Sequence, residues 1–196
     1  PGYMLPEGMS AHLAYTPRAG AGVTNDKSAS GDTGTSGGGY DIALSHSGLV
    51  DGLEIFAGRS VIEQDAAVGT GPSGDRTQYV YGATYAIGSV TIGYQESRDN
   101  LQQTGVGAVN SYYKNQAFGV SFNVNDNLSL SYGNHKSENS LNSGASVELE
   151  AESLQMAYTM GGMSVKIAES TVDNGSYTSG TGKDRDGTTI ALSLAF

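Results

Sequence analysis

The chain has no cysteine and no tryptophan among its 196 residues. Without a thiol there is no disulfide framework, no cysteine nucleophile and no thiolate metal site. Charge is scarce, 15% of residues against about 25% in ordinary soluble domains. The apolar share is also low, 37% against the usual ~45–50%. Ten Lys and Arg face 20 Asp and Glu, for a net charge of −10, so the chain lacks the basic footprint of a nucleic-acid binder. No stretch approaches the ~20 consecutive apolar residues of a transmembrane helix. Helical spacing is nowhere sustained, and the sequence is read as carrying no GxSxG nucleophile elbow, no HExxH and no GxGxxG dinucleotide-binding turn.

What remains is glycine, 29 residues of it, small polar residues, and a strong period of two. Ile190, Leu192, Leu194 and Phe196 alternate with Thr189, Ala191, Ser193 and Ala195. Phe118, Val120 and Phe122 alternate with Gly119, Ser121 and Asn123, and Val90, Ile92 and Tyr94 with Thr91, Gly93 and Gln95. Successive side chains of a strand point to opposite faces, so each segment has one apolar and one small or polar face. The pattern predicts ten strands over 9–16, 40–47, 53–64, 77–87, 89–98, 111–124, 128–138, 146–160, 163–173 and 186–196. The phase changes between Glu148 and Leu154, which predicts a bulge near Ala151–Ser153.

The connections form a second pattern. Gly48–Gly52, Gly88, Asn125–Asn127 and Gly161–Gly162 read as tight turns. Pro17–Gly39, Asp65–Arg76, Asp99–Asn110, Asn139–Ala145 and Asn174–Arg185 read as long polar loops. Long and short alternate, so an up-and-down sheet carries all long loops on one edge. A soluble antiparallel sandwich hides the apolar face inside. A transmembrane barrel turns it to lipid and keeps the polar face to a wet lumen. The poverty of Lys and Glu on the polar face and the one-sided loops favour the barrel. Tyr15, Tyr40, Tyr79, Tyr94, Tyr112 and Tyr132 lie towards the long-loop ends, where an interfacial girdle belongs.

The segments MSAHLAYTP, YVYGATYAIGSVTIGY, FGVSFNVNDNLSLSYG and TTIALSLAF resemble a bacterial outer-membrane general diffusion porin of the alphaproteobacterial type. Ile190, Leu192, Leu194 and Phe196 are similar to that family's terminal assembly signal. The resemblance implies an all-β, transmembrane, antiparallel up-and-down barrel of 16 strands. Residues 1–196 then form one barrel domain that supplies the C-terminal ten strands. It also implies a homotrimer in the Gram-negative outer membrane, contact with lipid and lipopolysaccharide, and delivery by the barrel-assembly machinery. Tyr3–Leu5 reads as the end of a further strand closed by the turn Pro6–Gly8. A complete ten-stranded barrel is the alternative.

The expected function is passive diffusion of ions and small hydrophilic solutes, with no enzyme activity, no cofactor, no metal and no nucleic-acid partner. Strand parity points His12, Asp41, Glu54, Gln78, Thr84, Gln95, Ser121, Asn123, Ser131, Gln155 and Lys166 into the lumen. There they would hydrate the pore and set its field. Glu54 and Lys166 are read as mid-strand charges, and Arg59 follows the parity of the apolar face. Exterior loop acids (Asp26, Asp32, Asp65, Asp75, Asp99, Glu138, Asp173, Asp184, Asp186) predict cation preference. The competing class is a smaller closed barrel acting as a protease-like enzyme or adhesin. Asp41 and His46 differ in parity, which removes one His–acid pair. Gly180–Lys183 is followed by Asp184 where a phosphate loop needs Ser or Thr. Asp184–Gly187 lacks the later ligands of a calcium loop.

Overall fold

Alternation of apolar and small residues produces ten long strands in one antiparallel meander, in a computed structural model that describes residues 5–17, 36–64, 71–105, 109–180 and 182–195. In chain order the strands are β1 (Met9–Thr16), β2 (Ser36–Ser47), β3 (Leu53–Gln64), β4 (Gly71–Pro72), β5 (Arg76–Ile87), β6 (Val90–Asn100), β7 (Gln103–Thr104), β8 (Asn110–Asn123), β9 (Leu128–Leu141), β10 (Ser146–Met160), β11 (Met163–Asp173) and β12 (Arg185–Leu194). The large sheet runs β1-β2-β3-β5-β6-β8-β9-β10-β11-β12, each strand beside its neighbour in sequence. The two-residue strands β4 and β7 pair with each other and tie two long connections together. The described residues contain no α-helix. No ladder joins the edge strands β1 and β12.

Register assigns every side chain to a face. Leu13 stands opposite Ile42, Ala57 opposite Tyr81, Tyr94 opposite Phe118, Leu154 opposite Tyr132 and Ile167 opposite Ile190. All belong to one continuous apolar face. Its side chains are open: Leu13 is 80% exposed, Ile190 71% and Leu192 60%. Val61 is the one buried apolar side chain among the described residues. A soluble sheet buries its apolar face, so this molecule has the inverse arrangement of a globular core.

The short turns are built alike. Gly8, Gly52, Gly88 and Gly161 take φ of 79°, 76°, 58° and 58°, a region open to glycine at no steric cost. In the turn between β8 and β9, Asn125 Oδ1 accepts from the backbone N–H of Asn127 and of Leu128, both at 2.9 Å. Each turn also hydrogen-bonds sideways to the next hairpin. The carbonyls of Gly8, Gly52, Ser89, Asn127 and Gly162 accept from the N–H of Ser47, Ala86, Asn123, Thr159 and Ala195 at 2.7–2.9 Å. A Cβ at Gly52 would stand 2.1 Å from the Ala86 carbonyl oxygen, so the close approach itself demands glycine.

Three expectations change. The ladder of β10 with both neighbours is unbroken through Ala151–Ser153, so no bulge is present there. Glu148, Glu150 and Glu152 continue the same face as Leu154 and Met156; what changes is the chemistry of that face. The loop expected from Asn139 shrinks to residues 142–145, because β9 and β10 reach 14 and 15 residues and form a tall hairpin. Of the further strand read at Tyr3–Leu5, Tyr3 and Met4 lie outside the described residues, and Leu5 is not in a strand. The turn that follows is present, with Met9 N–H donating to the Pro6 carbonyl at 3.0 Å.

Candidate functional site: the polar face of the sheet

The face opposite the apolar one collects every residue read as lumen-facing. His12 stands opposite Ala43, and Asp41 stands opposite Ala14 and Ser60. Glu54 pairs with Thr84, Ser60 with Gln78, and Gly82 with Gln95. Thr91 pairs with Ser121, Ser121 with Ser131, and Asn123 with Ser129. Ser131 pairs with Gln155, and Ala157 with Lys166. His12 and Asp41 are thus diagonal neighbours on this face, while His46 shares the other face with Ile55 and Leu44. Glu54 is not mid-strand. It is the second residue of β3, while Lys166 is the fourth of β11, nearer its centre, and five strands separate them. Arg59 lies on the apolar face, opposite Ile42 and Tyr79.

Small residues keep the polar face low. Gly93, Gly119, Gly133, Ser153, Ser170 and Gly187 follow one another across successive strands. Phe56 is a large side chain on this side, and its ring lies over Gly82, where an added Cβ would come within 2.6 Å of it. Two concavities, of about 460 and 390 Å³, are lined mostly by polar-face residues, among them Gly93, Gln95, Ser121 and Ser131 in the first and Asp41, Ser60, Gln78 and Asn115 in the second.

Towards the long loops the polar face carries a hydrogen-bonded chain that the sequence did not reveal. Arg76 holds Asp99 with two N–H groups, Nε to Oδ1 at 2.8 Å. Asn115 donates to Ser97 Oγ at 3.3 Å, and Ser137, only 3% exposed, donates to Asn115 Oδ1 at 2.5 Å. The Tyr177 hydroxyl stands 2.7 Å from Ser137 Oγ. Ser137 has one proton, already given to Asn115, so Tyr177 is the donor. Tyr177 also lies against Tyr113, with ring centroids 5.5 Å apart and planes tilted by 49°.

The outward side of the same strand ends is charged. Glu96 accepts from Gln116 at 2.9 Å and pairs with Lys114 at 3.5 Å. Lys136 lies 3.3 Å from Glu150 and 3.4 Å from Glu148, and Arg98 sits 3.8 Å over the Tyr112 ring. These residues form a collar above the apolar band. Extending the period of two past Tyr94 and Tyr132 would have found it. All six girdle tyrosines fall on the apolar face, although Tyr94 and Tyr132 lie deeper in their strands than expected. Four acids expected in loops, Asp99, Glu138, Asp173 and Asp186, belong to β6, β9, β11 and β12. Asp26, Asp32, Asp65 and Phe196 lie outside the described residues.

Two sequence stretches match catalytic spacings literally, Gly34–Gly38 as GxSxG and Gly69–Gly74 as GxGxxG. Neither has the required context, since Ser36 opens a β-strand and Gly71 pairs with Thr104. No protein-family model matches the chain, and no curated protein matches it.

Proposed function

We propose that this chain forms the wall of a passive, water-filled channel of the bacterial outer membrane, a porin through which ions and small hydrophilic solutes diffuse. One observation carries the reading. A continuous face of Leu, Ile, Val, Phe, Met and Tyr is exposed along ten strands, while a single apolar side chain among the described residues is buried. Hydrocarbon is the solvent that suits such a face, and water suits the Ser, Thr, Asn, Gln and Gly face behind it. In lipid every backbone group of a strand needs a partner. The β1 and β12 ladders therefore require completion, which the 16-strand count implied by the resemblance supplies. Within that reading the protein is a trimer and Phe196, with Ile190, Leu192 and Leu194, belongs to the signal read by the assembly machinery.

The test is reconstitution of the intact protein into a planar bilayer. Discrete, ohmic conductance steps support the channel. A stable monomer in detergent-free buffer with no conductance in lipid overturns it.

A further inference from the structure

The connection between β11 and β12 does not stand clear of the sheet. Its residues Gly175–Tyr177 form a single 3-10 turn in which Asn174, Ser176 and Tyr177 all have left-handed backbone angles, φ 54°, 60° and 53°. Non-glycine residues hold that conformation only where their surroundings over-determine it. The surroundings here are explicit. Asn174 N–H donates to Asp184 Oδ1 at 3.0 Å, and its side-chain amide donates to the Glu148 carbonyl at 2.9 Å. Gly175 N–H donates to the Lys183 carbonyl at 3.1 Å. The far end is anchored by Tyr177 on Ser137 and Tyr113.

The direction of this reach matters more than its strength. Ser137 and Tyr113 belong to the polar face, on β9 and β8. From β11, the turn therefore passes β10 and arrives two strands away, roughly 10 Å across the sheet at ~4.8 Å per strand. It crosses on the side where the concavities open. A loop held only to be tidy could fold outward over the collar. This one is pinned across the polar face by bonds at both ends.

We infer that the turn around Tyr177 is a fixed constriction at the long-loop end of the conduit, which selects solutes by width and hydrogen bonding. The groups it gathers are uncharged: the hydroxyls of Tyr177, Tyr113 and Ser137 and the amide of Asn115. Among the described residues, the charged pair on the neighbouring strands, Arg76 with Asp99, is neutral as a unit, and the Asp184 carboxylate at the base of the turn accepts from the Asn174 N–H. The constriction rests on the channel reading above.

Two measurements on the intact protein test it separately from that reading. The chain has no cysteine, so Ser137→Cys with Tyr177→Cys gives a unique thiol pair. A short bifunctional thiol reagent should cross-link it in the folded protein. Single-channel conductance is then read at 1 M salt, where charge is screened to ~3 Å and bore dominates. Tyr177→Ala should raise conductance roughly 1.5-fold and admit larger neutral polymers, and Tyr177→Trp should lower it, as pore diameter sets passage. Absence of the cross-link overturns the inward turn. Cross-linking with Tyr177→Ala and Tyr177→Trp both at wild-type conductance overturns the constriction while leaving the channel. Cross-linking with no conductance in any variant, wild type included, overturns the channel and the constriction with it.

Discussion

Tyr132 donates its hydroxyl proton to Glu152 Oε1 at 2.6 Å. The bond runs between β9 and β10 along the outward face, at the line where that face changes from apolar to charged. Below it on the same two strands are Leu130, Leu154 and Met156; above it are Asn134, Lys136, Glu150 and Glu148. A tyrosine suits such a line because its ring is apolar and its hydroxyl seeks a polar partner. The Lys136 pairs above it are solvent-exposed and contribute little to stability. Their contribution is to mark a boundary in the chemistry of the face, more than to stabilise the sheet.

The apolar face should reject charge and the polar face accept it. Leu192→Arg places a cation on the first, while Ser193→Arg, one residue on, places it on the second. Arginine facing the bilayer midplane costs ~2–4 kcal/mol, less towards an interface. Leu192→Arg should therefore reduce the fraction folded into lipid vesicles, and Ser193→Arg should leave it near wild type. Equal behaviour of the two variants would contradict the assignment of faces.

Gly52→Ala should destabilise the sheet. The residue has φ 76°, and its new Cβ would lie 2.1 Å from the Ala86 carbonyl oxygen. Backbone must shift, and the Gly52–Ala86 hydrogen bond is lost with it. Together strain and the lost bond should cost about 2–4 kcal/mol, read as a lower urea midpoint in detergent or lipid. Gly144→Ala is the comparison: φ is 83° there, but nothing stands within 4 Å of a Cβ. It should cost less, and a larger loss at Gly144 would refute the steric account.

The two edges of the sheet should be distinguishable on living cells. An epitope inserted at Ser143, between β9 and β10, should bind antibody on intact cells. One inserted at Asp126, between β8 and β9, should bind only after permeabilisation. Labelling of Asp126 alone on intact cells would invert the orientation.

The proposed channel should be mildly cation-selective at low salt, through Asp75, Asp173, Asp184 and Asp186 at the long-loop edge. Asp99, bound to Arg76, contributes little to that field. The preference should fade as the screening length drops from ~10 Å at 0.1 M to ~3 Å at 1 M. Reversal potentials under a salt gradient measure it. An anion preference at 0.1 M would mean that charges elsewhere set the field.

Strands and faces were legible because a period of two needs no long-range information. Ile190, Leu192 and Leu194 announce their face from three positions. The acids of β10 were less legible. Glu148, Glu150 and Glu152 keep the parity of Leu154, but carboxylates on an apolar face look like a change of phase until Asn134 and Lys136 on β9 are seen beside them. Lys136 likewise reveals its role only through its partners across the ladder. Tyr177 was not legible at all. Its place depends on left-handed angles at Asn174, Ser176 and Tyr177, without the glycines that would signal them, and on a serine 40 residues earlier in the chain.

The sideways bonds from each short turn make the hairpin a unit of growth. Gly8 meets Ser47, Gly52 meets Ala86, Ser89 meets Asn123, Asn127 meets Thr159 and Gly162 meets Ala195, always carbonyl to N–H across one hairpin. A whole hairpin added to or taken from this series would present the same junction on both sides. A single added strand would not, since it would send the next turn to the opposite edge and leave its carbonyl with no N–H to meet. Sheets of this construction can change width only in steps of two strands, and the step is written in the turns.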